Sequence, residues 1–165
     1  MLYTGPKLVW HLIGHLQVNK VRQAVPMFDL IHSVDSKKLL DEIEKVAAKH
    51  DKVQDILLQV NVAREASKSG MSVEEFPEVR DYAKTLPHVR VRGLMCMAPF
   101  FENPEEARPI FRVAYVLYED MKGYFPEGDI QYLSMGMTHD FEVALQEGAN
   151  IVRVGTAIFG ERVYN

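Results

Sequence analysis

Short apolar runs alternate with amphipathic segments along the 165-residue chain. Six of these runs are short and rich in β-branched residues, which favours strands over helices. They are Val9–Gly14, Phe28–Val34, Ile56–Asn61, Val89–Met97, Ile130–Gly136 and Ile151–Gly155. Because the segments between them have helical periodicity, the pattern predicts repeated strand–helix units and an α/β fold around a parallel sheet.

Polar residues at helix-capping positions mark where the helices between these strands are expected to begin. They are Ser36, Ser72, Asn103 and Thr138. Glu75 follows Ser72 at the spacing of a capping box, and Thr138 is expected to cap a helix over His139–Gln146. Pro109 is expected to separate a short opening turn from a main helix over Phe111–Lys122.

Two architectures fit six strand–helix units. One is an open, doubly wound sheet, and the other is a (β/α)8 barrel, which typically needs roughly 250 residues. Since 165 residues hold two units fewer than a barrel needs, length alone favours the open sheet. No segment has the composition of a linker, so we expect one domain over residues 1–165.

Composition narrows the classes of function. Hydrophobic residues make up 47% of the chain and charged residues 25%, which is typical of a globular protein. A net charge of −4 without a basic tract argues against nucleic-acid binding, and the apolar runs are too short to cross a membrane. Cys96 is the single cysteine and no secretory signal follows Met1, so a reduced, cytoplasmic protein is expected.

Small and hydroxyl residues follow the last two predicted strands, in Ser134–Thr138 and in Gly155–Gly160. Main-chain N–H groups at the C-terminal end of a strand can converge on an anion, and barrel enzymes commonly bind phosphate in these last two loops. Ordinary turns that need glycine for a positive φ would have the same composition. Both interpretations remain open on the turns alone.

Arg153 is the charged residue of the last predicted strand, and its position raises the question of what it pairs with. Val152 and Val154 share one face of the strand, so Arg153 points the other way, into the space that the strands enclose. A buried guanidinium is unfavourable unless it is paired. Its partner is either an acceptor on a ligand or a carboxylate such as Asp140 or Glu161.

Other polar residues have plainer interpretations. Gln59 and Asn61 share one face of the third strand, where they can bind a ligand or satisfy each other and the backbone. The histidines that invite a metal site are His11, His15, His32 and His139. They lack the spacing of a known metal motif, so structural roles are favoured. Cys96 lies in an apolar run and is expected to be a small core residue.

Seven segments, in order along the chain, form a set with a known counterpart. They are Trp10–Lys20 (WHLIGHLQVNK), Ile31–Asp35, Leu58–Asn61, Glu65–Gly70, Arg92–Met95, Leu133–Met137 and Val152–Arg162. The set resembles the signatures of the pyridoxal-phosphate homeostasis protein family, in which the first segment is WHFIGHLQxNK. The resemblance extends from about Trp10 to Tyr164, and several motifs in the correct order make it specific.

This resemblance implies a parallel (β/α) barrel of the alanine-racemase type with pyridoxal 5′-phosphate (PLP) as its cofactor. The cofactor-binding residues that it implies are Ser134, Met135, Gly155 and Thr156 around the phosphate, Arg153 at the pyridine nitrogen, and Asn61 nearby. Because a guanidinium offers no acceptor, the ring nitrogen must stay unprotonated, which weakens the ring as an electron sink. Family members are generally regarded as monomeric PLP carriers without established catalysis.

The sequence departs from the family at its start. In the family, two strand–helix units precede the WHFIGHLQ segment, and the first carries the lysine that forms a Schiff base with PLP. Here nine residues precede Trp10, and Lys7 has no strand context. The chain therefore resembles units three to eight of the barrel, about six of eight, with the first two units lacking, which overturns the preference for an open sheet.

For this chain we accordingly expect an impaired, non-catalytic PLP-binding protein that holds PLP non-covalently at best. The expected small-molecule partner is PLP, or a phosphate or sulfate ion, with no nucleic acid and no membrane. Family resemblance implies a monomer, and the strand edges that an incomplete barrel exposes would allow self-association. The alternatives are a PLP-dependent racemase-like enzyme, which would need the missing lysine, and an interaction module that pairs through these edges.

Overall fold

The structure is a computed structural model that describes residues 5–65 and 69–160. Its strands are β1 (His11–Leu12), β2 (Leu30–Val34), β3 (Gln54–Val60), β4 (Val89–Cys96), β5 (Tyr132–Met137) and β6 (Ile151–Arg153). Its α-helices are α1 (Val21–Met27), α2 (Lys37–Lys49), α3 (Phe76–Ala83), α4 (Arg108–Met121), α5 (Phe141–Gln146) and α6 (Thr156–Phe159). A 3-10 turn precedes α1 at Val18–Lys20, and another precedes α4 at Pro104–Ala107. Each of the six predicted strands is confirmed.

All neighbouring strands are parallel, and their order in the sheet is their order in the chain, from β1 to β6. A doubly wound sheet reverses its strand order at a switch point, whereas a barrel adds each new strand on the same side of the last. The open doubly wound sheet that length alone favours is therefore wrong. The strand order is that of a barrel, and the six strands form a half-barrel.

The main hydrophobic core lies between the sheet and the helices. Ile56 and Leu58 of β3 pack there with Phe76 of α3 and Phe111 of α4, and all four are fully buried. A second, smaller cluster is formed by Leu30, Leu57 and Met95. Because side chains alternate along a strand, this cluster marks the opposite face of the sheet, called the inner face below.

Local capping follows the sequence at three of the four predicted positions. Ser36 Oγ accepts a hydrogen bond from the main-chain N–H of Leu39 at 3.3 Å, and Asn103 Oδ1 accepts one from Glu105 at 3.1 Å. Ser72 and Glu75 exchange both bonds of a capping box, although α3 itself begins at Phe76.

The predicted starts of α4 and α5 need correction. Helix α4 begins at Arg108, so Pro109 lies in its first turn, where a missing N–H is tolerated. Helix α5 begins at Phe141, and Thr138 does not cap it. The Thr138 hydroxyl accepts instead from the main-chain N–H of Gly155, because β6 brings that donor within 3.1 Å.

Apolar side chains are exposed beside both outer strands. Near β1 they are Leu8, Val9, Trp10, Ile13 and Met27, and after β6 they are Ile158 and Phe159. A cavity of about 370 Å³ opens beside β1, with Leu12, Leu16 and Met27 in its wall. Across residues 5–65 and 69–160, none of the helices has the length and apolar character needed to cross a membrane.

Candidate functional site

Two side chains from distant strands meet on the inner face. His32 Nδ1 of β2 lies 2.9 Å from Ser134 Oγ of β5, and both residues are fully buried. In a flat sheet, three inter-strand spacings would hold these strands roughly 14 Å apart. The sheet therefore curves strongly, so that its inner face is concave, as in a barrel.

Arg153 of β6 joins this contact. Its Nη1 donates to Ser134 Oγ at 2.7 Å, and its Nη2 donates to the main-chain carbonyl of Cys96 at 3.0 Å. Burial lowers the pKa of Arg153. The guanidinium has more N–H donors than these two bonds use, so it can still donate to a ligand.

The structure decides which partners Arg153 has among the described residues. No ion pair joins it to a carboxylate within 5–65 or 69–160, and the Asp140 carboxylate instead accepts from the main-chain N–H of Met137 at 2.6 Å. Of the two alternatives that the sequence left open, pairing of Arg153 with Asp140 is therefore excluded, because the turn after β5 uses this carboxylate. Glu161 lies outside the described residues.

A histidine pair completes the group. His32 Nε2 lies 3.1 Å from His11 Nδ1, and the ring centroids are 5.1 Å apart. Burial, together with the neighbouring His11 and Arg153, lowers the pKa of His32 to about 3. Burial also lowers the pKa of His11. At neutral pH both rings are neutral, so Arg153 carries the positive charge of this group.

These two histidines are members of one hydrogen-bonded group. In the part of the chain that the structure describes, no three His, Cys, Asp or Glu side chains are grouped so as to hold a metal ion. Cys96 is a core residue, as predicted, since its side chain is fully buried and burial raises the pKa of its thiol to about 12.

The two predicted phosphate turns lie side by side at the ends of β5 and β6. Met137 and Arg153 are register partners, and the hydrogen bond from Gly155 to Thr138 joins the turns. Gly136 has a φ of 89°, and a Cβ there would lie 2.6 Å from the Cβ of Ala144. Glycine is therefore required at this position for close packing of α5.

Gly155 differs from Gly136 because it faces open space. A Cβ added at Gly155 would meet nothing within 4 Å. Helix α6 begins directly after it at Thr156, whose side chain is exposed. Gly155 and Thr156 thus border a space, next to Arg153, that is open to a ligand.

Met135 and Asn61 are placed differently from the other predicted site residues. The Met135 side chain is fully buried in the core between sheet and helices, so only its main chain is available to a phosphate. The Asn61 amide exchanges two hydrogen bonds with the main chain of Glu65. Gln59 Nε2 of β3 donates to the Ser69 carbonyl, so Gln59 and Asn61, which directly follows this strand, both have a structural role.

Sequence reasoning missed the role of His32. It treats this residue only as a weak metal candidate, whereas the structure places it between Ser134 and His11. The available signal was its spacing: His32 lies two residues after Leu30 in the same strand, which puts both side chains on the inner face. The partner of His32 lies 102 residues away, so local spacing could not identify it.

Comparison with known proteins identifies the family. Residues 2–163 match the model of the alanine racemase N-terminal domain. The pyridoxal phosphate homeostasis protein of Aquifex aeolicus is 49% identical over 157 residues, which are 95% of this chain and 68% of that protein. The chain belongs to the pyridoxal phosphate homeostasis protein family. A family member from Haemophilus influenzae is 38% identical over 161 residues, with 98% of this chain and 68% of that protein covered.

Solved structures agree with this assignment. PipY of Synechococcus elongatus without PLP superposes with a TM-score of 0.84 at 36% identity, covering 94% of this chain and 72% of that one. The same protein with PLP bound gives a TM-score of 0.78 at 35% identity over the same shares of the two chains. An alanine racemase of Clostridium difficile, at 14% identity and a TM-score of 0.70, covers 98% of this chain and 42% of that one and shares the fold alone. The predicted family and the alanine-racemase-like α/β fold are confirmed, and the chain spans about two thirds of the length of the curated relatives above.

Proposed function

We propose that this chain binds PLP, as a non-catalytic PLP homeostasis protein, with the cofactor on the inner face at the ends of β5 and β6. The observation that carries the proposal is Arg153. Its guanidinium is partly buried, donates to a hydroxyl and a carbonyl, and is paired with no carboxylate in residues 5–65 and 69–160. Such a group is unfavourable unless a ligand supplies an acceptor. PipY, a relative at 35% identity, is described with PLP bound.

The residues beside Arg153 fit a phosphorylated pyridine. Gly155 borders open space, and the main-chain N–H groups at the start of α6 and the Thr156 hydroxyl are donors for a phosphate. Ser134 holds Arg153 in place, and Met135 can contribute only its main chain. Asn61 stays a predicted neighbour of the site.

Arg153 also determines what the bound cofactor can do. When bound, PLP supplies a ring that can withdraw electrons, most strongly with its nitrogen protonated. A guanidinium donates and cannot accept, so Arg153 would favour an unprotonated nitrogen on a pyridine ring that it contacts, which would weaken that withdrawal. This favours a carrier over a racemase-like catalyst.

We further propose that residues 1–165 form one cytoplasmic PLP-binding domain whose strands correspond to the third to eighth of an eight-stranded barrel. The support is the sequential order of β1–β6 and the exposed apolar side chains beside β1. Within these residues the cofactor, or a phosphate or sulfate ion in its place, is held without a covalent bond. The open edges also make self-association the expected behaviour at high concentration.

The test is PLP binding to the purified chain, measured by calorimetry and by intact mass after borohydride reduction. Arg153→Ala removes a charge-assisted donor and is expected to weaken binding at least about tenfold. The control is Arg22→Ala, which removes an exposed arginine near Glu42, far in sequence from the β5 and β6 turns. Equal affinity of Arg153→Ala and the parent would reject the site, and a borohydride-trapped adduct on one lysine would reject non-covalent binding.

A further inference from the structure

Four residues form one continuous chain of hydrogen bonds across the inner face, from β6 to β1. In order they are Arg153, Ser134, His32 and His11, with separations of 2.7, 2.9 and 3.1 Å. Arg153 can only donate, so the first bond has a fixed direction, with Ser134 Oγ as the acceptor.

That direction determines the rest of the chain. Ser134 has one hydroxyl proton, and His32 Nδ1 is the acceptor within reach. If Nδ1 accepts a hydrogen bond from this hydroxyl, the neutral His32 carries its proton on Nε2, and this N–H donates a hydrogen bond to His11 Nδ1. The hydroxyl proton of Ser134 and the Nε2 proton of His32 then each have an acceptor.

The opposite tautomer of His32 leaves a donor unpaired. With a proton on Nδ1, His32 would donate to Ser134, which would then accept from both His32 and Arg153. The Ser134 hydroxyl proton would have no acceptor among the described residues, although the side chain is fully buried. An unpaired buried donor is strongly unfavourable.

We propose that His32 is a positioning residue for Arg153, acting through Ser134 as the Nε2–H tautomer. By accepting a hydrogen bond from the Ser134 hydroxyl, it directs a lone pair of that hydroxyl toward Nη1 and keeps the guanidinium beside the Cys96 carbonyl. Arg153 is thereby held in place to donate to its ligand, and as a donor it favours ligands with an unprotonated acceptor. The ligand effect rests on the proposed function, since PLP is the ligand concerned.

His11 has a lesser role in this arrangement. Its ring is partly exposed on the outer strand β1, and it accepts at the far end of the chain. Loss of its acceptor leaves the bond between Ser134 and His32 intact. We therefore expect His11→Phe to disturb the ligand site much less than loss of the imidazole at position 32.

The first experiment needs no cofactor. Long-range 15N–1H NMR of the histidine-labelled chain is expected to show His32 at neutral pH with its proton on Nε2 and with Nδ1 accepting. In Ser134→Ala the Nδ1 signal is expected to move, because its donor is gone. A proton on Nδ1 in the parent chain would overturn the inference, whatever the protein binds.

The second experiment separates positioning from folding. His32→Asn keeps an acceptor, Oδ1, near the place of Nδ1, whereas His32→Leu has none. We expect His32→Leu to weaken PLP binding about tenfold and His32→Asn to restore it to within about threefold of the parent. His50→Leu, at an exposed position after α2, controls for the loss of an imidazole.

The outcomes distinguish this inference from the proposed function. If Arg153→Ala binds PLP as the parent does, the proposed function fails. If Arg153→Ala loses binding while folded His32→Leu keeps it, positioning by His32 fails and the proposed function stands. If His32→Leu does not fold, the test rests on His32→Asn and on the tautomer that NMR shows. Loss of PLP binding in His32→Asn, despite the retained acceptor, then overturns the inference.

Discussion

The Thr138 hydroxyl accepts a hydrogen bond from the main-chain N–H of Gly155 at 3.1 Å. This bond joins the turn after β5 to the turn after β6, the two elements proposed to hold a phosphate. It also anchors the short outer strand β6, which has three residues. The bond has consequences for both stability and binding.

Thr138→Val removes the hydroxyl at nearly constant volume. We expect a loss of about 1 kcal/mol in the free energy of unfolding and faster hydrogen exchange at the Gly155 amide, which loses its acceptor. PLP binding is expected to weaken together with phosphate binding. Thr138→Ser keeps the hydroxyl and should behave as the parent; unchanged exchange at Gly155 in Thr138→Val would contradict the role given to this bond.

The histidine pair predicts a pH dependence of stability. Burial lowers the pKa of His32 from 6.5 to about 3 in the folded chain, so below pH 6.5 the unfolded chain binds more protons than the folded one. Stability therefore falls as the pH drops from 6.5 toward 3, by about 2 kcal/mol between pH 7 and pH 5. The lowered pKa of His11 acts in the same direction.

Urea unfolding at pH 7 and pH 5 measures this loss. Carboxylates also titrate in this range, so the quantity of interest is the difference between the parent and His32→Asn, in which position 32 does not titrate. We expect the variant to lose less stability than the parent on acidification. Equal losses in the two proteins would show that His32 is not held neutral by its surroundings.

Gly136→Ala is expected to destabilise the chain by about 2 kcal/mol or more, because the position combines two constraints. Its φ is 89°, and the new Cβ would lie 2.6 Å from the Cβ of Ala144 in α5. Thermal or urea unfolding measures the effect. A melting temperature equal to that of the parent would mean that α5 can move away from β5 freely.

Gly155→Ala is the matched glycine substitution on the other turn, and it is expected to affect ligand binding and not stability. A Cβ at Gly155 meets nothing within 4 Å, so the free energy of unfolding should change by less than about 0.5 kcal/mol. Affinity for PLP and for phosphate should fall, because the methyl group occupies the space assigned to the ligand. Calorimetric titration measures this affinity. An affinity equal to that of the parent would show that the phosphate does not bind beside Gly155.

Self-association through the β1 edge is expected to depend on exposed apolar side chains. Val9 beside β1 is 66% exposed and Val116 on α4 is 64% exposed, so lysine substitutions at the two positions form a matched pair. In sedimentation velocity, we expect the weight-average mass of the parent to rise with concentration. Val9→Lys should suppress this rise and Val116→Lys should not; a concentration-independent monomer mass in the parent would contradict the prediction.

Hydrogen bonds between residues that are close in the chain could be predicted from the sequence. Ser36 and Leu39, Asn103 and Glu105, and the Ser72–Glu75 box all form as their spacing predicts. The six apolar runs became six parallel strands, and the face of Arg153 followed from its position between two valines. These features depend on local backbone geometry, which repeats every two residues in a strand and every 3.6 in a helix. The spacing of residues in one sequence is therefore enough to predict them.

Tertiary structure decided the partners of those side chains. Arg153 reaches a hydroxyl 19 residues away and a carbonyl 57 residues away, and His32 reaches a side chain 102 residues away. Thr138 has the spacing of a cap but accepts from Gly155, because β6 brings that main-chain donor within 3.1 Å. Such contacts depend on how strongly the sheet curves, which is set by the packing of all six strands against their helices and not by the local order of residues.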